Sequence, residues 1–239
     1  MASIRGSVAI ITGASGGVGR ATALALAERH ANLVLVARNR EALERVAIQA
    51  RESGGMAEIV AADIREETTA ATVVERALAA FGRVDALINN AGVEGGGPVE
   101  SLSLETWRAC LDTNLTAAFL FSRAVVPVMK RQGGGHIVMI SSGAGKQGYG
   151  NMSAYCASKF GLMGFAQALA HEVGEDRIKV CTVVPGSIVT GFSGHAPRPG
   201  GKYLLPDDVA QAILFLLDQS DRAWTQEMTV WPFREYTGQ

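Results

Sequence analysis

Tyr155 and Lys159 stand four residues apart in Tyr155-Cys156-Ala157-Ser158-Lys159, so on a helix both project from one face. A free phenol has a pKa of about 10 and is a poor base at neutral pH. A lysine ammonium about 4 Å away favours phenolate by as much as roughly 4 kcal/mol at an effective dielectric of 20. Even half of that lowers the tyrosine by more than about one pKa unit. Tyr155 would then give a proton to a carbonyl or take one from an alcohol. Ser142 follows an apolar, β-branched run at 136–140, where a parallel sheet presents its C-terminal edge to ligands. Its hydroxyl could bond and orient a substrate oxygen there. Surface helices carry isolated Tyr-x-x-x-Lys pairs by chance, so the pair gains meaning only from its company.

Part of that company is a glycine-rich loop, Thr12-Gly13-Ala14-Ser15-Gly16-Gly17-Val18-Gly19. It follows an apolar run and opens a helical one. Glycines let such a turn close and let the backbone approach a pyrophosphate, while a helix N-terminus supplies free N–H groups and partial positive charge. The G-x-G-x-x-G fingerprint does not fit, because Thr22 occupies its third glycine position. Both Gly13-x3-Gly17-x-Gly19 and Gly13-x2-Gly16-x2-Gly19 do, and the loop alone does not choose between them. The bland reading is a tight turn only.

The second strand of such a unit ends in Asp or Glu when it binds the ribose 2′-OH of NAD. Here it ends Leu35-Val36-Ala37-Arg38-Asn39-Arg40, with no carboxylate. Arg38 can meet a 2′-phosphate with charge-assisted hydrogen bonds, worth roughly 1.5–3 kcal/mol, which favours NADP(H) over NAD(H). The plain alternative is that Arg38 and Arg40 open a solvated helix beside Glu41 and Glu44.

The elements that must position these groups alternate along the chain. Strands are expected at 8–11, 33–36, 58–61, 86–88, 136–140, 179–184 and 228–230. Helices are expected at 18–29, 40–52, 68–80, 104–130, 154–173 and 206–218. Strands separated by helices require crossover connections, hence a parallel sheet covered on both faces. The fold class is therefore α/β: a doubly wound, mostly parallel sheet of about seven strands, Rossmann-like, in one domain over 1–239. Pro127 should kink or end its helix. The Gly/Pro-rich segment 187–203 reads as a mobile substrate loop.

Composition bounds the function. The chain has 239 residues, 48% hydrophobic, with a formal net charge of -1 and no run of like charges. That suits a small-molecule substrate and argues against nucleic acid, which needs a basic stripe. No apolar stretch approaches the roughly 18 residues of a membrane span, and the short run 8–11 is a poor signal-peptide core. Cys110, Cys156 and Cys181 are odd in number and widely spaced, as expected of reduced thiols in a cytoplasmic protein. His30, His136, His171 and His195 have no metal-binding spacing, so no metal is expected. His171 should lie on the solvated end of its helix, and His195 in the substrate loop.

With these motifs in order, the chain resembles a classical short-chain dehydrogenase/reductase over nearly its whole length. The family's T-G-x-x-x-G-x-G spacing matches Thr12 to Gly19, and its N-N-A-G signature matches Asn89-Asn90-Ala91-Gly92, preceded by Phe81-Gly82-Arg83-Val84-Asp85. Its asparagine, serine, tyrosine and lysine match Asn114, Ser142, Tyr155 and Lys159, and its P-G segment matches Pro185-Gly186. The resemblance selects the Gly17 spacing, since relatives with the Gly16 spacing carry a further substrate-binding part for which this chain has no room.

The resemblance implies hydride transfer between a nicotinamide and a carbonyl or alcohol, with Asn114, Ser142, Tyr155 and Lys159 as the catalytic set. It implies cofactor contacts from Gly13, Ser15, Gly17, Val18 and Gly19, from Arg38 and Asn39, and from Asn90, Ala91 and Gly92. Tyr155, Lys159, Pro185 and Gly186 complete that set around the nicotinamide. Asp63 and Ile64 should contact adenine; Ile188 and Thr190 should contact the carboxamide. Asn114 should break its helix and hold a water that links Lys159 to solvent. An independent reading makes Asp63 a helix N-cap.

The implied activity is NADPH-dependent reduction of a carbonyl, such as a 3-oxoacyl thioester or small ketone, by a homodimer or homotetramer. The helical stretches 104–130 and 154–173 would form the subunit interface. Two rivals are an NAD-dependent alcohol or sugar dehydrogenase, which the lack of an acid at Arg38 opposes, and a catalytically silent nucleotide sensor, which the intact tetrad opposes. One departure stands out. Where family members often end in a strand and Gly-Gly, this chain has Trp231-Pro232-Phe233-Arg234-Glu235-Tyr236. That tail could join the core, cover its own pocket or meet a neighbour.

Overall fold

The computed structural model describes residues 4–190 and 200–235. Seven strands form one sheet: β1 (Val8–Thr12), β2 (Asn32–Ala37), β3 (Met56–Ala61), β4 (Ala86–Asn89), β5 (Gly135–Ile140), β6 (Ile178–Pro185) and β7 (Glu227–Val230). Their spatial order is β3-β2-β1-β4-β5-β6-β7, and each adjacent pair is parallel. Order reverses at β1, which lies between β2 and β4. That switch point opens a crevice at the carboxyl ends of the strands, where such sheets bind ligands.

Helices cover both faces, which is why the strands read as continuous apolar runs instead of alternating ones. Ala9, Ile11, Leu33 and Leu35 pack against α1 (Gly17–Glu28), α2 (Arg40–Glu52) and α7 (Pro206–Asp218). Val8, Ile10, Val34 and Val36 point the other way, onto α3 (Glu67–Phe81), α5 (Ala117–Gln132) and α6 (Ser153–Val173). The period of two thus distributes one strand between two cores.

Two helical expectations need correction. The stretch 104–130 is three pieces: α4 (Leu104–Leu111), a π-helical turn at Asp112–Thr116, and α5. Pro127 does not end α5, which continues to Gln132. Pro127 is exposed, so water can serve the Arg123 carbonyl that loses its helical partner. His171 is exposed near the end of α6, as expected, while His195 lies outside the described residues. Among the described residues no helix is long and apolar enough to cross a membrane.

Candidate active site

Thr12, the last residue of β1, organises the glycine loop. Its Oγ1 accepts the N–H groups of Asn90 (3.0 Å) and Ala91 (3.1 Å), and the Asn90 Nδ2 donates back to the Thr12 carbonyl at 2.9 Å. The Asn-Asn-Ala-Gly segment is therefore clamped to the loop across the switch point. Gly13 has a φ of +68°, and a Cβ there would lie 2.9 Å from the Ala91 Cα. A Cβ at Gly19 would overlap the Gly13 carbonyl. Gly19 does not line the cleft; it lets α1 approach the turn, and so aims the helix N-terminus at whatever anion the loop holds.

A cleft of about 1380 Å³ runs from Arg38, Asn39, Asp63 and Ile64, past Gly13, Ser15, Gly17 and Val18, to Ser142, Tyr155 and Lys159. Asn90, Ala91, Gly92, Pro185, Gly186, Ile188 and Thr190 line it too. The volume exceeds the roughly 300–1,000 Å³ of a pocket for one small ligand, as a dinucleotide with a second molecule would require. A glycine turn with no room for a Cβ, a helix N-terminus and an open arginine fit a pyrophosphate and its ribose. Nothing in the lining is at odds with such a cofactor.

At the far end, Arg40 pairs with Glu44 at 3.9 Å, and the Asn39 side chain caps α2 by accepting the Ala42 N–H at 3.0 Å. The bland reading thus holds for Arg40 and adds a structural duty to Asn39. Arg38 is different: it precedes α2, is exposed, and has no ion-pair partner among the described residues. The Asp63 carboxylate accepts from the Arg65 guanidinium and from its N–H at 3.0 Å, which holds its pKa below the usual carboxylate value. Asp63 does not cap α3; the residue in that position is Glu66.

The reacting end is built on α6 and the end of β5. Ser142 hydrogen-bonds the Tyr155 side chain. Lys159 is buried, and its Nζ donates to the Ile140 carbonyl at 2.8 Å and stands 5.6 Å from the centre of the Tyr155 ring. Burial pushes the Tyr155 phenol up to about 12 against the lowering bond from Ser142, and pushes the Lys159 ammonium down to about 8. The expected lowering of the Tyr155 pKa by Lys159 is therefore not found. Burial is the largest influence on the phenol and outweighs the lowering by its neighbours.

Asn114 breaks its helix as expected: it lies in the π-turn, where the Ala117 N–H donates to Asp112 O, five residues back. Its amide is fully engaged. Oδ1 accepts the Val93 N–H at 2.8 Å, while Nδ2 donates to Val93 O and to Ser158 Oγ, each at 3.0 Å. Ser158 Oγ donates in turn to the Tyr155 carbonyl at 2.7 Å. The sequence reading passed over Ser158, although its place one helical turn after Tyr155 was visible. It also passed over Cys110, which lines the cleft and carries no local motif, whereas Tyr203, another lining residue, ends the segment expected to be the substrate loop.

The segment 187–203, expected from the sequence to be a substrate loop, is pinned at its base. Ile188 bridges Leu204, the Val189 N–H donates to Leu204 O, and Leu204 N–H to Ser187 O, both at 2.8 Å. Its middle, 191–199, lies outside the described residues.

A sheet switch point, a phosphate-type loop and a Ser–Tyr–Lys cluster at one cleft define an oxidoreductase of the dinucleotide-binding type. The sequence family described as short chain dehydrogenase matches residues 7–198, and this chain belongs to it. The 3-oxoacyl-[acyl-carrier-protein] reductase of Synechocystis is 33% identical, with 96% of each chain covered. A metagenomic short-chain oxidoreductase solved with NADP is 38% identical, with a TM-score of 0.85, over 96% of this chain and 98% of that one. An NAD+-bound xylitol dehydrogenase is 29% identical, with a TM-score of 0.88 and 95% and 98% covered.

Proposed function

We propose that the protein is an NADPH-dependent carbonyl reductase acting on a ketone or 3-oxoacyl thioester. The observation that carries this is the Ser142–Tyr155 hydrogen bond in a setting that keeps the phenol protonated. A phenol bonded to Ser142 is placed to deliver a proton to a carbonyl oxygen that the serine orients. The nicotinamide, when bound, supplies the hydride. Ser142 orients the substrate oxygen, Tyr155 gives it a proton, and Lys159 holds the ribose and replenishes the phenol. Asn114 keeps the loop at Val93 and α6 in register around them.

Arg38 supports the choice of NADPH, because it is an exposed cation just after β2 with no salt bridge among the described residues, and the nearby Asp63 carboxylate is already held by Arg65. The outward faces of α5 and α6, with Phe119 and Phe160 exposed, support a homo-oligomer. Purified protein should oxidise NADPH in preference to NADH against a carbonyl panel that includes a 3-oxoacyl thioester, and Arg38→Asp should invert the preference. A wild-type preference for NADH, with oxidation of polyols and no carbonyl reduction, would contradict this reading. An unchanged ratio in Arg38→Asp would remove Arg38 from it.

A further inference from the structure

The aromatic tail is seated beside the reacting groups. Trp231 directly follows β7, and its indole edge fills the space that side chains would need at two glycines. A Cβ at Gly143 would lie 3.0 Å from Trp231 Cη2, and one at Gly186 would lie 2.7 Å from Cε3. Gly143 follows Ser142 in the chain; Gly186 lines the cleft, and its N–H donates to Val230 O at 2.8 Å. Backbone from both walls of the site therefore fixes the ring. Yet 55% of Trp231 remains open, an uncommon exposure for so large an apolar side chain.

Trp231 stands just outside the cleft lining, and neighbouring groups connect it to that lining. The Tyr149 hydroxyl lies 3.4 Å from that same Cβ position at Gly143 and accepts from Gln147 Nε2 at 2.7 Å. A bridge between Lys202 and Glu235 ties the tail to the segment that carries Tyr203, itself in the cleft lining. Met152 lines the cleft on the Tyr155 side.

We propose that Trp231 is a specificity-determining residue: its open indole face is a shelf for a flat apolar ring on the substrate, which makes the substrate class aryl and alicyclic ketones. This rests on the carbonyl-reductase reading for the reacting group, while the shelf itself is a binding surface. Stacking on an indole, with the apolar area it covers, is worth about tenfold in affinity. A polyol-derived ketone would set hydroxyls against a ring that offers them no partner.

The test is calorimetric titration of 4-phenylbutan-2-one and butan-2-one into protein loaded with NADP+, or with NAD+ should only that cofactor bind. The phenyl ketone should bind the wild type at least about tenfold more tightly than butan-2-one. Trp231→Leu, apolar but without the flat ring, should lose most of that ratio, and Trp231→Phe should keep it to within about threefold. Equal affinity for the two ketones in the wild type, or an undiminished ratio in Trp231→Leu, would overturn the shelf. Selective binding of the phenyl ketone, with no NADPH oxidation when the same ketone is mixed with protein and NADPH, would overturn the reductase reading and support the shelf.

Discussion

Lys159 Nζ donates to the carbonyl oxygen of Ile140 at 2.8 Å, so the last residue of β5 holds the charged end of a side chain from α6. This bond places the ammonium under the Tyr155 ring in a nearly dry site, and desolvation brings its pKa to about 8. Tyr155, at about 12, stays protonated well beyond that point. As pH rises through about 8, Lys159 therefore loses its proton first and stops replenishing the phenol. The reductive kcat/KM should fall above pH 8, about tenfold per unit. In Lys159→Arg, whose charge persists, the slower reaction should show no alkaline limb below about pH 10. A limb still near pH 8 in that variant would exclude Lys159 as its source.

Ser158 fastens Asn114 to the first turn of α6, with Oγ accepting from Asn114 Nδ2 and donating to the Tyr155 carbonyl. Ser158→Ala removes two buried hydrogen bonds but leaves Asn114 its bonds to Val93, a loss of roughly 1–3 kcal/mol. The melting temperature should fall by about 2–12 °C, at roughly 2–4 °C per kcal/mol for a chain of this size. kcat should fall more than the affinity for NADPH, because the bonds position Tyr155 and not the cofactor. An unchanged melting temperature and kcat would show that the network contributes nothing.

Gly19 and Gly16 make opposite steric predictions. A Cβ at Gly19 meets the Gly13 carbonyl, whereas one at Gly16 meets nothing within 4 Å. Gly19→Ala should force α1 away from the loop, lowering stability by about 1–3 kcal/mol and weakening NADPH binding at least tenfold. Gly16→Ala should keep the wild-type unfolding midpoint. Denaturant unfolding and fluorescence titration measure both quantities, and equal stability of the two variants would contradict the packing described.

How much of this the sequence made legible follows from the physics of each signal. The strand β1 and helix α2 were legible because an apolar run and a helical run of mixed apolar and charged residues are local signals. Arg40 could be paired with Glu44 from spacing alone, but the lack of a salt bridge at Arg38 and its nearness to Asp63 became visible only when the end of β2 was placed. The π-turn at Asp112–Thr116 has no local signature, since its cause is Asn114 reaching across to Val93. The pKa of Tyr155 was misjudged for a related reason. Spacing brings Lys159 to the same helix face, but burial and the pull of Ile140 decide where its charge sits. The seat of Trp231 depends on Gly143 and Gly186, far away in sequence.

His136 sits buried in β5, where burial first, and then the positive charge of Lys179, depresses its pKa to about 3. The unfolded chain binds that proton near pH 6.5, so the native state is favoured above this value and loses stability as pH falls toward 3. Between pH 7.5 and 5.5 the loss should be about 1.4 kcal/mol by urea unfolding. His136→Asn, which cannot take up the proton, should flatten that slope; the same slope in the variant would assign it to other groups.

The central claim is that Tyr155 gives the substrate its proton, and single-turnover NADPH oxidation by Tyr155→Phe tests it most directly. NADPH should bind with near wild-type affinity, and its oxidation by a ketone that the wild type reduces should slow at least about 100-fold. Oxidation at close to the wild-type rate, with NADPH bound normally, would contradict the account.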